Sequence, residues 1–170
     1  METSIVLAII AGFISFIGLI IAKEQKISEF RQTWIDLLRG DISEFIQELH
    51  HFYLSYAIYK SKASNNKDFL ENNLQITNQI RYLYYKIKLR LNPNDSDGLI
   101  EILDKTILMI TSKDEILKNV NFENIVKELD DKSHELFKRE WERVKKGEPW
   151  FMFAKLRIIA IFCAFIYLKV

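Results

Sequence analysis

Apolar and polar positions separate sharply along this chain. From Thr3 to Ala22 no charged side chain occurs, and about 20 such residues at helical rise reach across the roughly 30 Å hydrocarbon core of a bilayer. The helix is expected to run on, because Ile27, Phe30, Trp34 and Leu37 or Leu38 keep helical spacing with no Gly or Pro before Gly40. One helix over Ile5 to Arg39 follows, with Gly40 as its C-terminal cap and Asp41 as the N-cap of the next. That second helix carries Ile42, Phe45, Ile46, Leu49, Phe52, Tyr53 and Tyr56 and fades into the polar run Lys60 to Asn66. A third, near Asp68 to Leu91, carries Phe69, Leu70, Leu74, Ile76, Ile80, Leu83, Tyr84 and Ile87, and ends at the loop Asn92 to Gly98. A fourth spans about Leu99 to Ile110, and Ser112 with Glu115 forms a capping box for a short fifth. The last starts near Phe122, keeps Ile125, Val126, Leu129, Leu136, Phe137, Trp141 and Val144 in phase, and stops at Gly147-Glu148-Pro149.

The C-terminal stretch is again apolar. Ile158 to Leu168 is too short for a full span, and including Trp150 to Leu156 requires Lys155 to snorkel while Trp150, Phe151 and Phe153 sit among headgroups. We read it as a second membrane-embedded helix, the alternative being a helix lying on the inner surface or in a protein core. Lys23, Lys26, Arg31 and Arg39 follow the first apolar segment and no basic residue precedes it. A second cluster, Lys138, Arg139, Arg143, Lys145, Lys146, Lys155 and Arg157, precedes the last segment, and only Lys169 follows. The positive-inside rule then predicts an external N-terminus and a cytoplasmic middle, with Lys23, Lys26, Trp150, Lys155 and Arg157 at the membrane interface. Met1-Glu2-Thr3-Ser4 lacks the basic start of a secretory signal, so a retained anchor in the cell inner membrane is expected. The expected fold is an all-α membrane protein: a transmembrane helix over 1–22, a cytoplasmic helical domain over 23–149, and a membrane-embedded or interfacial helix over 150–170.

Small residues recur in the first segment at Ala8, Ala11, Ser15, Gly18 and Ala22, with Gly12 widening the same face. Lipid tails offer no hydrophobic drive for helix pairing, so close backbone approach over such a stripe is what favours association. It predicts either a homo-oligomer or a pairing with the C-terminal apolar segment.

Composition adds limits. At 170 residues the chain holds one modest domain beside its apolar ends, and a net charge of +1 supplies no basic field for nucleic acid. The single cysteine, Cys163, has no intrachain partner, consistent with a reducing compartment. Five Gly and two Pro suit an all-helical chain.

Candidate chemistry is sparse. Glu48 with His51 and Asp131 with His134 have the spacing of di-metal bundle ligands, and Glu44 could add a carboxylate, but solvated acidic residues and surface histidines explain them as well. Helical HEPN nucleases place a His shortly after an Arg. Here Arg39 is too far ahead of His50, and His134 has no Arg just upstream, which disfavours ribonuclease activity. No phosphate-cradling Gly loop or Cys/His zinc pattern occurs, so neither enzyme nor cofactor is indicated. The interleaved run Arg81 to Arg90 could meet anionic lipid or nucleic acid, yet Ile80, Tyr84, Ile87 and Leu91 share one side, which reads as a core face with a basic flank.

The join Lys23-Glu24-Gln25-Lys26-Ile27-Ser28-Glu29-Phe30-Arg31-Gln32-Thr33-Trp34-Ile35-Asp36-Leu37-Leu38-Arg39 resembles a stretch found in small bacterial membrane proteins of prophage and anti-phage defence loci. In general plan the chain is similar to the membrane accessory proteins of type VI-B CRISPR loci. That resemblance implies a membrane helix joined to a HEPN-like cytoplasmic domain and assembly into membrane pores. The expected function is thus a non-enzymatic, homo-oligomeric pore or depolarising effector, or alternatively a membrane-tethered scaffold or sensor that recruits a cytoplasmic protein. The expected partners are the bilayer and further copies of the chain, with nucleic acid disfavoured.

Overall fold

A computed structural model of the chain describes residues 2–61, 69, 73–94, 96, 98–111, 121–146, 153, 156–161, 164 and 167, and every regular element among them is helical. The long elements are α1 (Glu2–Ser61), α2 (Leu74–Arg90), α3 (Leu99–Thr111) and α4 (Phe122–Lys146). The chain clusters into two compact units, Met1–Trp34 with Arg139–Val170, and Ile35–Lys138.

The expected break at Gly40 and Asp41 does not occur, because α1 continues to Ser61. A glycine inside a helix costs about 1 kcal/mol relative to alanine. That is small beside the burial of Ile35, Leu38, Ile42, Phe45, Leu49 and Phe52, which keep one helical phase on both sides of Gly40. Nor is Asp41 a cap. Its buried carboxylate takes Lys86 Nζ at 2.8 Å and Arg90 Nε at 2.7 Å, tying α1 to α2.

The Ile35–Lys138 unit is a helical bundle around these α1 residues. Ile80, Leu83 and Ile87 of α2, Leu99, Leu103 and Ile110 of α3, and Leu129 and Leu136 of α4 are almost wholly buried. Phe69 is ringed by Phe52, Tyr56 and Tyr59 with centroids 5.5, 5.4 and 5.2 Å away. Tyr53 stacks on Phe122 at 4.6 Å, and His50 meets the same ring edge-on at 5.3 Å. These are the offset and T-shaped arrangements that a ring quadrupole favours.

The loop expected after α2 is present. Asn92 Oδ1 accepts from the Asn94 backbone N–H at 3.1 Å, Gly98 adopts φ +81°, and Leu99 N–H donates to Ser96 O at 2.9 Å to open α3. A side chain at Gly98 would be strained in that left-handed conformation. α2 begins at Leu74, later than the expected Asp68, although Phe69 is also helical. The short fifth helix expected from Ser112, and the stop at Gly147 to Pro149, lie outside the described residues.

Candidate functional site

The apolar start of α1 is the one helix, among the described residues, long and apolar enough to cross a membrane, and none of its apolar window is buried. Exposure along it is uneven. Val6, Ile10, Phe13, Ile17 and Ile20 are half-covered at alternating steps of four and three, whereas Leu7 stays 67% and Leu19 70% exposed. The small residues Ala8, Ala11, Gly12, Ser15, Gly18 and Ala22 are all exposed. At 3.6 residues per turn, their stripe is centred about 170° around the helix from the half-covered one.

That opposition bears on the pairing expected from sequence. The small stripe is not the face the chain covers for itself, and a Cβ built on Gly12 or Gly18 meets nothing within 4 Å. Ser15, the polar group deepest in the segment, donates its hydroxyl to Ala11 O at 2.9 Å, which satisfies it within the helix.

Beyond Ala22 comes a charged collar. Lys23 and Lys26 are exposed, and Lys26 Nζ pairs with Glu29 at 2.7 Å. Further along, Glu140 of α4 has a nearly buried carboxylate that gathers three guanidiniums: Arg31 at 3.0 Å, Arg143 at 2.8 Å and Arg139 at 3.4 Å. Two cations in excess around one carboxylate leave this end of α4 basic, and Lys145 and Lys146, which share Glu142 at 3.5 and 3.6 Å, add one net charge. Sequence reading found the basic residues here but not Glu140, whose burial depends on a contact with Arg31 across more than half the chain. Of the other interface residues, Arg157 is helical and exposed, while Trp150 and Lys155 lie outside the described residues. So does most of the expected second membrane helix over 150–170.

The interleaved run on α2 divides in three. Ile80, Leu83, Tyr84 and Ile87 form the core face. Lys86 and Arg90 are held by Asp41, and Lys88 by Asp104 at 2.7 Å. Tyr82, Tyr85 and Leu89 point outward, Leu89 being 86% exposed. Lys86, Lys88 and Arg90 are thus engaged by Asp41 and Asp104, while Arg81 is exposed.

Tyr84 completes the second of these polar joints, donating to Asp104 at 2.6 Å and accepting from Lys88 at 2.8 Å. Burial would raise the Asp104 carboxyl, but hydrogen bonds from Lys88 and Tyr84, with the ammonium's charge, outweigh it and hold the group below the usual range. Burial first, then the bond to Asp104, pushes the Tyr84 phenol up. Lys88 is raised by its bonds to Asp104 and Tyr84.

The metal-spaced residues do not converge. His51 Nδ1 is 3.8 Å from Glu48, His134 faces Asp130 at 3.3 Å, and Glu44 accepts from Gln79 at 3.1 Å. Among the described residues no three His, Cys, Asp or Glu side chains come together as a metal site would require. No protein-family model, curated protein or solved structure matches this chain.

Proposed function

We propose that this protein is a non-enzymatic, homo-oligomeric effector of the bacterial inner membrane, whose first helices pack through the small-residue stripe to form a pore or otherwise depolarise the membrane. The carrying observation is that Ala8, Ala11, Gly12, Ser15, Gly18 and Ala22 stay exposed on the face opposite the half-covered one. In lipid such a face is satisfied by another helix brought close, and a second copy supplies an identical one. The resemblance of residues 23–39 to proteins of defence loci supports an anti-phage role. The basic residues after Ala22 support an external N-terminus with the remaining bundle in the cytoplasm. A lumen bordered by apolar side chains, with Ser15 hydrogen-bonded internally, closes by dewetting.

The test is membrane potential on induced expression in a bacterial host. Wild type is expected to depolarise the cells. Gly12→Leu or Gly18→Leu, which add bulk to the stripe at positions where a Cβ meets nothing within 4 Å, are expected to abolish the effect. An unchanged potential with wild type counts against the proposal.

A second reading is a tethered scaffold that binds a cytoplasmic protein, and the outward Tyr82, Tyr85 and Leu89 of α2 favour it. Replacing residues 1–22 with an unrelated anchor separates the two. A scaffold keeps its function after the exchange, and a pore loses it.

A further inference from the structure

Two surfaces of the Ile35–Lys138 unit stay open, and they differ in shape and in charge. One is a ridge. About 160° around α2 from its core face, Tyr82 and Tyr85 stand 57 and 60% exposed, with Leu74 and Leu89 continuing the same side. The other is a groove of about 1080 Å³ along α3 and the first turns of α4, whose walls include Ile100, Leu108 and Ile125 beside Glu101, Asp104 and Glu128. We infer that the α2 ridge of one copy seats in the groove of the next, with Arg81 paired to Glu101, in a head-to-tail contact between bundles. The inference deepens the homo-oligomer proposed above and rests on it.

The charges select the occupant once internal pairs are set aside. On α2, Lys86 and Arg90 are held by Asp41 and Lys88 by Asp104. Arg81, exposed beside Tyr82 and Tyr85, makes no ion pair or hydrogen bond among the described residues. In the groove, Asp104 is taken by Lys88, and Glu128 lies 3.8 Å from Lys105. Glu101, also exposed, has no such partner among the described residues. Each surface therefore keeps one unmatched charge among apolar side chains, and the two signs are opposite. Ridge against ridge would bring two guanidiniums together, and groove against groove two carboxylates, so a symmetric contact is disfavoured. Ridge against groove matches both charge and shape, and every copy carries both halves. The aromatic half is also held ready: Lys86 Nζ lies 5.6 Å from the Tyr82 ring centroid and Tyr84 meets Tyr85 edge-on at 4.8 Å, which steadies both rings while leaving them exposed. The two surfaces share no residue, so one copy offers its ridge and receives a neighbour's at once. Such a heterologous contact closes into a ring where its rotation permits, the form a pore needs.

The test is the dilution midpoint at which the full-length oligomer dissociates in mild detergent, read by analytical ultracentrifugation. Arg81→Glu and Glu101→Arg each set like charges across the contact, and each should raise the midpoint about tenfold. The double variant restores the pair in the opposite sense and should return to within about threefold of wild type, whereas independent effects would combine to about a hundredfold. Both side chains are exposed, and unchanged circular dichroism would show that the variants fold. Midpoints indifferent to both reversals, or a double variant as weak as the two singles combined, overturn the proposal. Gly12→Leu separates the failures. An oligomer weakened by that change and untouched by the reversals keeps the membrane stripe and loses the bundle contact. A wild type that stays monomeric at every concentration loses the homo-oligomer along with it and leaves the ridge to a different protein.

Discussion

Asp104 joins α3 to α2 through Lys88 and Tyr84, so its protonation bears on the bundle. Its carboxyl is held below the ordinary value, so the folded chain binds that proton less readily than the unfolded one. The stabilisation is therefore present above the unfolded value, about pH 4, and lost as pH falls through the folded one. Asp104→Asn is expected to melt a few degrees lower at neutral pH and to lose less stability between about pH 5 and 3 than wild type. Thermal melts across that range check both halves. A variant as acid-sensitive as wild type would mean that other carboxylates carry the transition. Lys88 shifts upward, so its own contribution lasts through neutral pH and fades only in strong alkali. Neither joint could be read from sequence, because Lys88 with Asp104, and Asp41 with Lys86 and Arg90, are partners only once α2 lies against its neighbours.

At the level of the element, the unbroken α1 shows what periodicity reveals and what punctuation conceals. Ile27, Phe30 and Trp34 announced a helix running out of the apolar segment; of the face expected for a separate second helix, Ile42, Phe45, Leu49, Phe52 and Tyr56 are buried, Ile46 is half-buried and Tyr53 is exposed. Gly40-Asp41 suggested a stop because that pair suits a C-cap followed by an N-cap. Burial on both flanks outweighs the local preference. The same rule worked at Asn92 to Gly98, where the turn needs φ +81° at Gly98. The two glycines thus make opposite predictions. Gly40→Ala fills open space in a continuous helix and should raise stability by about 0.5–1 kcal/mol. Gly98→Ala forces a side chain into left-handed backbone and should lower it by about 1 kcal/mol. Denaturant titration of both in one background checks the pair, and destabilisation by Gly40→Ala would restore the cap.

For the whole molecule, the question is which face of α1 meets another copy. Sequence showed a stripe of small residues but could not say whether the chain itself would cover it, since periodicity gives faces and not partners. The exposure pattern separates the two: Val6, Ile10, Phe13, Ile17 and Ile20 are half-covered, and the small stripe is open. Cysteine scanning turns that difference into a measurement, because a disulfide requires Cα atoms within about 7 Å. In a Cys163→Ser background, which removes the single native thiol, Ala8→Cys, Ala11→Cys, Ser15→Cys and Ala22→Cys are expected to form covalent dimers in oxidised membranes. Val6→Cys, Ile10→Cys, Phe13→Cys and Ile17→Cys are expected to remain monomeric under the same treatment. The helical period supplies an internal control, since random collision in the membrane would cross-link both sets alike. Cross-linking confined to the second set would mean that copies meet over the larger side chains, and the small stripe would then lose its role in assembly.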